Sequence, residues 1–511
     1  MIVSGATIVD GTGGPGRVAD VRIADGRIAE IGRIGGGLDA TGLVLAPGFV
    51  DMHSHSEARL TDPGFTAKAR QGVTTELVGQ DGLSYAPVSP STSDGVRATI
   101  TGWHGAGHPG FASVADYLAH FDAGTTANVA YLVPHGNIRA MAVGFENRAA
   151  TPEELDVMRG LLARGLDEGA FGMSTGLTYV PGMYAGTGEL VELCKVVASR
   201  GGFHDTHHRS YGAGALEAYA EMIAVARESG CALHLAHATM NFPPNKGRAA
   251  ELLSLVDEAV SGGLDLSFDT YPYLAGSTTL AALLPSWVAA GGPAATLERL
   301  ADPALRERIR HDMEVVGPDG SHGVPMDWST VEIGGVADPA NSHAVGKRVS
   351  ELPGEPFIAY VELLLADRLG PTIRQHVGHE ENVRAIMTHP AHTAGSDGLF
   401  AGAMPHPRAF GTFPRYLGHY VRETGVLTLE ECVRHLAATP ARRLGLRDRG
   451  LVAEGYAADL VLFDPATVAD TATYDDPFGE PEGIPWVWVN GEAVVADGKP
   501  TGALPGKALR S

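Results

Sequence analysis

The feature that most narrows what this chain can fold into is an alternation that fills its middle. Between Pro47 and about Leu444, short apolar runs such as GVTTELVG, NVAYLVPHG, GAFGMSTG, GGFHDTH, CALHLAHAT, LDLSFDTYPY and AIMTHPAH are each followed by a longer stretch, among them TPEELDVMRGLLARGLDEG and LEAYAEMIAVARESG at helical spacing. Thr151, with Pro152 next and Glu154 three positions on, reads as a capping box that starts one of those helices. Strand then helix, repeated, requires parallel pairing, because a parallel connection must travel the length of the sheet and a helix does so most simply. Roughly eight such units fit, which gives an α/β class and a (β/α)8 TIM barrel.

Both ends have another texture. Residues 1–46 hold β-branched runs (IVSGATIVD, VRIADGRIAEIG, LVLAPG) broken by Asp-Gly and Gly-rich turns, and the pattern returns at Ala458–Phe463 and Trp486–Gly491. We therefore expect a small β-sandwich built from residues 1–46 and 445–511 around a barrel domain at 47–444. Within the barrel, about 284–353 is rich in Gly, Pro and Asp with little period, and reads as an insertion or lid.

Composition excludes several partners. With 38 Lys+Arg against 60 Asp+Glu the formal net charge is -22, and no Lys/Arg-rich run offers a track for phosphates, so nucleic acid is not expected. Three cysteines, Cys194, Cys231 and Cys432, form no CxxC pair and no disulfide framework. The first residues lack a basic then apolar leader, and no run approaches the roughly 20 apolar residues of a membrane span, so a cytoplasmic location is expected. The oligomeric state is open, and a small-molecule substrate is the partner expected from the site residues that follow.

Several apolar runs end in groups that bind metal. In APGFVDMHSHSEARL, His53 and His55 follow the run two positions apart and can project to one side. His207 and Arg209 share a face in FHDTHHR, and His237 falls on the face of Leu233 and Leu235 in LHLAH. Ala385–Met387 leads through Thr388 and His389 to Asp397 in GSDG. In a parallel barrel the strands' carboxyl ends share one mouth, and active sites form there. Histidine and aspartate suit zinc, which acidifies bound water to a pKa of about 7. An amide needs its carbonyl polarised, an activated nucleophile and an acid for the departing amine, and an aspartate beside the metal, Asp397, can carry that proton.

These stretches resemble the amidohydrolase superfamily and, within it, the D-aminoacylase (N-acyl-D-amino-acid deacylase) family. The similarity runs nearly end to end through APGFVDMHSHSE, QGVTTELVGQDGLSYAP, FGMSTGLTY, THHR, YPYLAGSTTL, GSDGLF, HPRAFGTFPRYLG, ADLVLFDP and VNGEAV. It implies metal-binding histidines at His53, His55, His207 and His237, a catalytic Asp397, and a hold on the substrate carboxylate by Arg209, Tyr271 and Ser277. It also implies hydrolysis of a linear amide, deacylation of an N-acyl-D-amino acid or a related compound, with one or two zinc ions or other divalent metals.

Two positions depart from that pattern. Where the family has a metal-binding cysteine in GNCG, this chain has Gly79-Gln80-Asp81-Gly82, and Asp81 would supply an oxygen ligand in its place. We expect the first ion at Asp81, His207 and His237, with His53 and His55 forming a weaker second position. Where the family has a lysine two residues after the last histidine, the chain has Thr239, so one cationic contact to the substrate carboxylate is missing. Two competing functions are opening of a cyclic amide, disfavoured because no lysine stands at a convincing strand end, and a non-catalytic binding barrel, disfavoured by the retention of Asp397 with every histidine.

Overall fold

The computed structural model describes residues 1–105, 109–317 and 319–511. Eight strands in its middle lie in one parallel sheet, neighbour to neighbour in chain order: β1 (Phe49–Asp51), β2 (Val73–Val78), β3 (Asn128–Pro134), β4 (Gly172–Gly176), β5 (Phe203–His207), β6 (Ala232–Leu235), β7 (Leu266–Thr270) and β8 (His392–Ala394). The sheet closes on itself just past the first and last strands. Met52 N–H donates to Ala394 O at 3.1 Å, Asp397 N–H to His53 O at 2.8 Å, and Ser54 bridges Gly398 in parallel. The expected barrel is the observed one.

Helices Pro152–Asp167, Thr187–Ala198, Ala215–Ser229 and Ala249–Ser261 connect successive strands and cover the sheet. Met158, Leu162, Leu193, Met222 and Val256 pack with Val133, Met173, Leu233 and Leu235 of the strands in one continuous core. The first of these helices starts as the sequence indicates: Thr151 Oγ1 accepts from Glu154 N–H, and the Glu154 carboxylate accepts from Thr151 N–H. Such a cap is worth about 1 kcal/mol.

Two elements differ from the sequence reading. The run Ala385–Met387 is the end of a helix, Glu380–Met387, and the strand is the short polar segment His392–Ala394 behind it. Val383, Ile386 and Met387 face inward from that helix, so a brief apolar cluster looked like a strand. The interval at about 284–353 is not irregular: it contains helices Pro293–Ala301 and Pro303–His311 and the strand Val331–Gly335, with Pro318 outside the described residues. That strand and Ala275–Thr279 both pair antiparallel with Thr372–His376, and Leu280, Leu300, Ile309, Trp328, Ile333 and Tyr360 form a separate core beneath them. Each nine-residue helix buries too few side chains for a period to stand out.

The two ends of the chain meet in one nine-stranded sheet, joined where Leu460–Phe463 pairs antiparallel with Val44–Pro47. Alternation along these strands sends side chains two ways. Leu460, Leu462 and Trp488 pack with Val3, Ile8 and Val21, while Val461, Phe463, Val487 and Val489 pack with Phe413, Tyr416 and Leu417 at the base of the barrel. No described helix is long and apolar enough to cross a membrane.

Candidate active site

The sequence-predicted metal residues converge at the carboxyl ends of the strands. His53 and His55 lie just past β1, Asp81 past β2, His207 on the last residue of β5, His237 past β6 and Asp397 past β8. All six are buried. Three of them sit in the left-handed region, Asp81 at φ 55°, His237 at φ 33° and Asp397 at φ 49°, a conformation that costs a non-glycine residue on the order of 1–3 kcal/mol. Asp81 is thus both a turn residue and a side chain aimed at the mouth. Its turn is packed against β4: a Cβ on Gly82, itself at φ 72°, would lie 2.7 Å from Gly176 N.

The same backbone turn corrects the expected placement of His237. Leu233 and Leu235 face the helices, and β6 ends at Leu235, so strand alternation no longer holds two residues later. With φ positive, the His237 ring turns into the barrel mouth, its centroid 4.8 Å from those of His53 and His207.

Asp81 is the centre of the arrangement. Its Oδ1 lies 3.5 Å from His207 Nδ1, 3.5 Å from His237 Nε2 and 3.6 Å from His53 Nε2, and its Oδ2 lies 3.6 Å from His55 Nε2. Asp397 Oδ1 is 3.4 Å from His55 Nε2 and 3.8 Å from His53 Nε2. Two donor groups result, His53, His55, Asp81 and Asp397 on one side and Asp81, His207 and His237 on the other, sharing Asp81. Around them the outer ring nitrogens differ. His207 Nε2 is 2.6 Å from Thr178 Oγ1 and His237 Nδ1 is 3.1 Å from Tyr211 Oη, whereas Nδ1 of His53 and of His55 has no hydrogen-bond partner among the described residues.

Charge follows the geometry. Burial works against the charged form of His55, but hydrogen bonding to Asp397 and Asp81, and their charges, push its pKa up to about 10. Burial likewise opposes ionisation of Asp81, yet the imidazoles of His207 and His53 hold it well below its ordinary value. Burial keeps His207 low, while in His237 it is outweighed by the surrounding carboxylates together, Asp81 first and then Asp397 and Asp269. A buried carboxylate surrounded by imidazole nitrogens is a set of donors suited to a metal cation.

Behind the mouth a polar brace ties the first and last strand ends together. Asp51 Oδ1 accepts from His53 N–H at 3.2 Å and from Ser396 N–H at 2.8 Å, and the buried Lys68 ammonium pairs with Asp51 and with Ser396 Oγ. This fixes His53 and the Asp397 turn relative to each other.

Arg408 is the residue that sequence reasoning missed. It is fully buried, its Nη2 is 2.9 Å from Asp397 Oδ2 and 3.2 Å from Ser277 O, and its guanidinium lies 4.4 Å from the centre of the Tyr271 ring. Its Nε and Nη1 have no hydrogen-bond partner among the described residues. Burial raises the Asp397 carboxyl, but the charge of Arg408 together with the imidazoles of His53, His55 and His237 outweighs it, and the net shift is downward. The available signal was the polar His406 and Arg408 leading into a helix otherwise spaced for burial. Arg209, by contrast, is turned away. Its Nε donates to Glu221 at 2.9 Å, Nη1 to Met183 O at 3.2 Å and Nη2 to Ala185 O at 2.5 Å. The two groups expected beside it, Tyr271 and Ser277, do border the cavity that opens from the histidines, as does Thr239. That cavity has a volume of about 610 Å3, open space at its mouth included, and has neither Arg209 nor Arg408 in its wall; Arg408 lies behind Tyr271 and Ser277, which it touches.

A parallel barrel with imidazoles and carboxylates gathered at its carboxyl-terminal mouth defines the class: a barrel hydrolase of the amidohydrolase type. The chain belongs to the amidohydrolase family, whose family model matches residues 37–495. It is 36% identical to an N-acyl-D-glutamate deacylase and 35% identical to a D-aminoacylase, both of Alcaligenes xylosoxydans xylosoxydans, over 100% of this chain and 96% and 97% of theirs. Among solved structures it is similar to the N-acyl-D-glutamate deacylase of Bordetella bronchiseptica, solved with zinc and a phosphonate that mimics the tetrahedral intermediate, with a TM-score of 0.85, 34% identity and coverage of 100% and 99%.

Proposed function

We propose that the protein is a zinc-dependent deacylase of N-acyl-D-amino acids or close relatives of them, and that Asp81 takes the place of a bridging ligand between two metal positions. The observation that carries it is the donor set around Asp81. Its Oδ1 is buried without a hydrogen-bond partner among the described residues, yet three imidazole nitrogens stand 3.5–3.6 Å away. Donors at about 2.0–2.2 Å from a tetrahedral zinc ion are roughly 3.4 Å from one another, so the spacing suits a cation better than direct hydrogen bonds. His207, His237 and Asp81 would hold one ion, and His53, His55 and Asp81, beside Asp397, the second. When bound, a divalent ion there acidifies water and polarises an amide carbonyl.

The chain's own groups do the rest. Asp397 Oδ2 is occupied by Arg408, which keeps the carboxylate ionised and leaves Oδ1 turned to the histidines. From there it can accept the proton of an attacking water and return it to the amine that leaves. The free Nε and Nη1 of Arg408, with Tyr271 and Ser277, would take the substrate carboxylate, a role Arg209 cannot fill while its donors brace Glu221 and two carbonyls. An arginine in this place also answers the missing cation at Thr239. The test is hydrolysis of N-acetyl-D-amino acids by protein of measured metal content. Activity that disappears when metal is stripped and returns with zinc is expected; full activity well below one metal per chain would refute it.

A further inference from the structure

Beside the cavity at the histidines lies a second one, also of about 610 Å3 with open space at its mouth included, and the two share Thr178, Tyr179 and Ala282 in their walls. Their chemistry differs. The first has imidazoles and phenols around it; the second has no Lys, Arg, His, Asp or Glu among its described lining residues. It is framed by Ala98 and Thr99 of the helix Ser93–His104, by Ala281 just before the insertion, and by Leu284, Ala289 and Pro293 within it. Several of its hydroxyls are already engaged. Thr99 Oγ1 donates to Gly95 O at 3.0 Å, Thr296 Oγ1 to Gly292 O at 2.9 Å, and Thr178 Oγ1 is held by His207. Tyr179 is in the wall common to both, its hydroxyl 2.8 Å from Thr278 Oγ1 and its ring 4.8 Å from that of His207.

We propose that this chamber receives an apolar substituent of the substrate, so that the enzyme acts on N-acyl-D-amino acids with neutral, apolar groups and discriminates against a second carboxylate. The proposal rests on the deacylase function and adds the substrate class. An apolar group entering the chamber leaves water for methyl and methylene walls, worth about fourfold in binding per buried methylene. An ionised carboxylate there would find no cation and few free donors, and would be disfavoured by on the order of a hundredfold or more. The chain should therefore differ from its relative named for N-acyl-D-glutamate.

The chamber can be filled from the amino-acid side chain or from the acyl chain, and two substrate series separate them. The first keeps acetyl and runs through N-acetyl-D-alanine, -leucine, -phenylalanine and -glutamate; the second keeps D-alanine and lengthens acetyl to butanoyl and hexanoyl. For the zinc-loaded full chain, kcat/KM should rise at least tenfold along one series, and N-acetyl-D-glutamate should fall at least a hundredfold below the best substrate. The series that rises names the group that enters. Ala289→Trp, which adds bulk at a wall that borders this chamber and not the first, should cut the long-to-short ratio at least tenfold. Calorimetry on the wild type, with D-leucine and hexanoate as product ligands, should give a negative heat-capacity change for the product that enters the chamber. Two flat series, or a preference for N-acetyl-D-glutamate, would overturn the chamber's role while deacylation stood. No hydrolysis of any of these compounds by fully metal-loaded protein would overturn the deacylase function, and the chamber with it.

Discussion

The two sides of the histidine cluster differ in how firmly they are held. On one side His207 and His237 face the cavity with their outer nitrogens engaged by Thr178 and Tyr211; on the other, His53 and His55 lie deeper, with Nδ1 lacking a hydrogen-bond partner among the described residues and the nearest carboxylate to His53 Nδ1, Asp269, at 3.8 Å. An outer partner fixes the tautomer and strengthens an imidazole as a ligand. On the proposed function, the held side would take the more tightly bound ion, and the side beside Asp397 would serve proton transfer and a looser one.

The largest expected effect is on the deep side. Asp397→Asn keeps the shape but loses the base, and kcat should fall about a hundredfold or more with an unchanged melting temperature. Near-native turnover would assign proton transfer to another group. Next comes the cation that pairs with Asp397. Arg408→Met removes a charge-assisted contact worth roughly 1.5–3 kcal/mol, so the preference for free acids over their amides should shrink about ten- to a hundredfold in kcat/KM. Arg209→Met should leave that preference intact, and the opposite pattern would return the carboxylate to Arg209. The smallest effect is at the held side. Tyr211→Phe should weaken the tighter ion by at least about tenfold in a chelator competition. An unchanged affinity would mean that the outer hydrogen bond does not make the two sides unequal.

The barrel was legible because its strands and helices alternate with clear signals: capping at Thr151, apolar runs that end in histidine, turns of Asp-Gly at the ends. His53, His55 and His207 stood out because they stand at or just after those runs, and Asp81 because it falls where the family that the chain resembles has a cysteine. What escaped depended on backbone conformation and on contacts distant in sequence. His237 faces the site through a positive φ that alternation does not anticipate. Arg408 reaches Asp397 from a helix entered eleven positions later, and Arg209 is diverted by Glu221 and by the carbonyls of Met183 and Ala185. Lys68, the buried lysine at the base of the site, is occupied by Asp51 and Ser396, a pairing that spans 328 residues.

The claim on which the rest depends is that Asp81 holds both sides together. The direct measurement is metal content by mass spectrometry on Asp81→Ala and wild type, purified alike and titrated with zinc against a chelator, with the fold checked by circular dichroism. If Asp81 is shared, the folded variant should lose the tight ion and the looser one together, leaving well below one metal per chain at concentrations that load the wild type. Wild-type metal content and affinity in the folded variant would contradict it, and would leave Asp81 as a turn residue only.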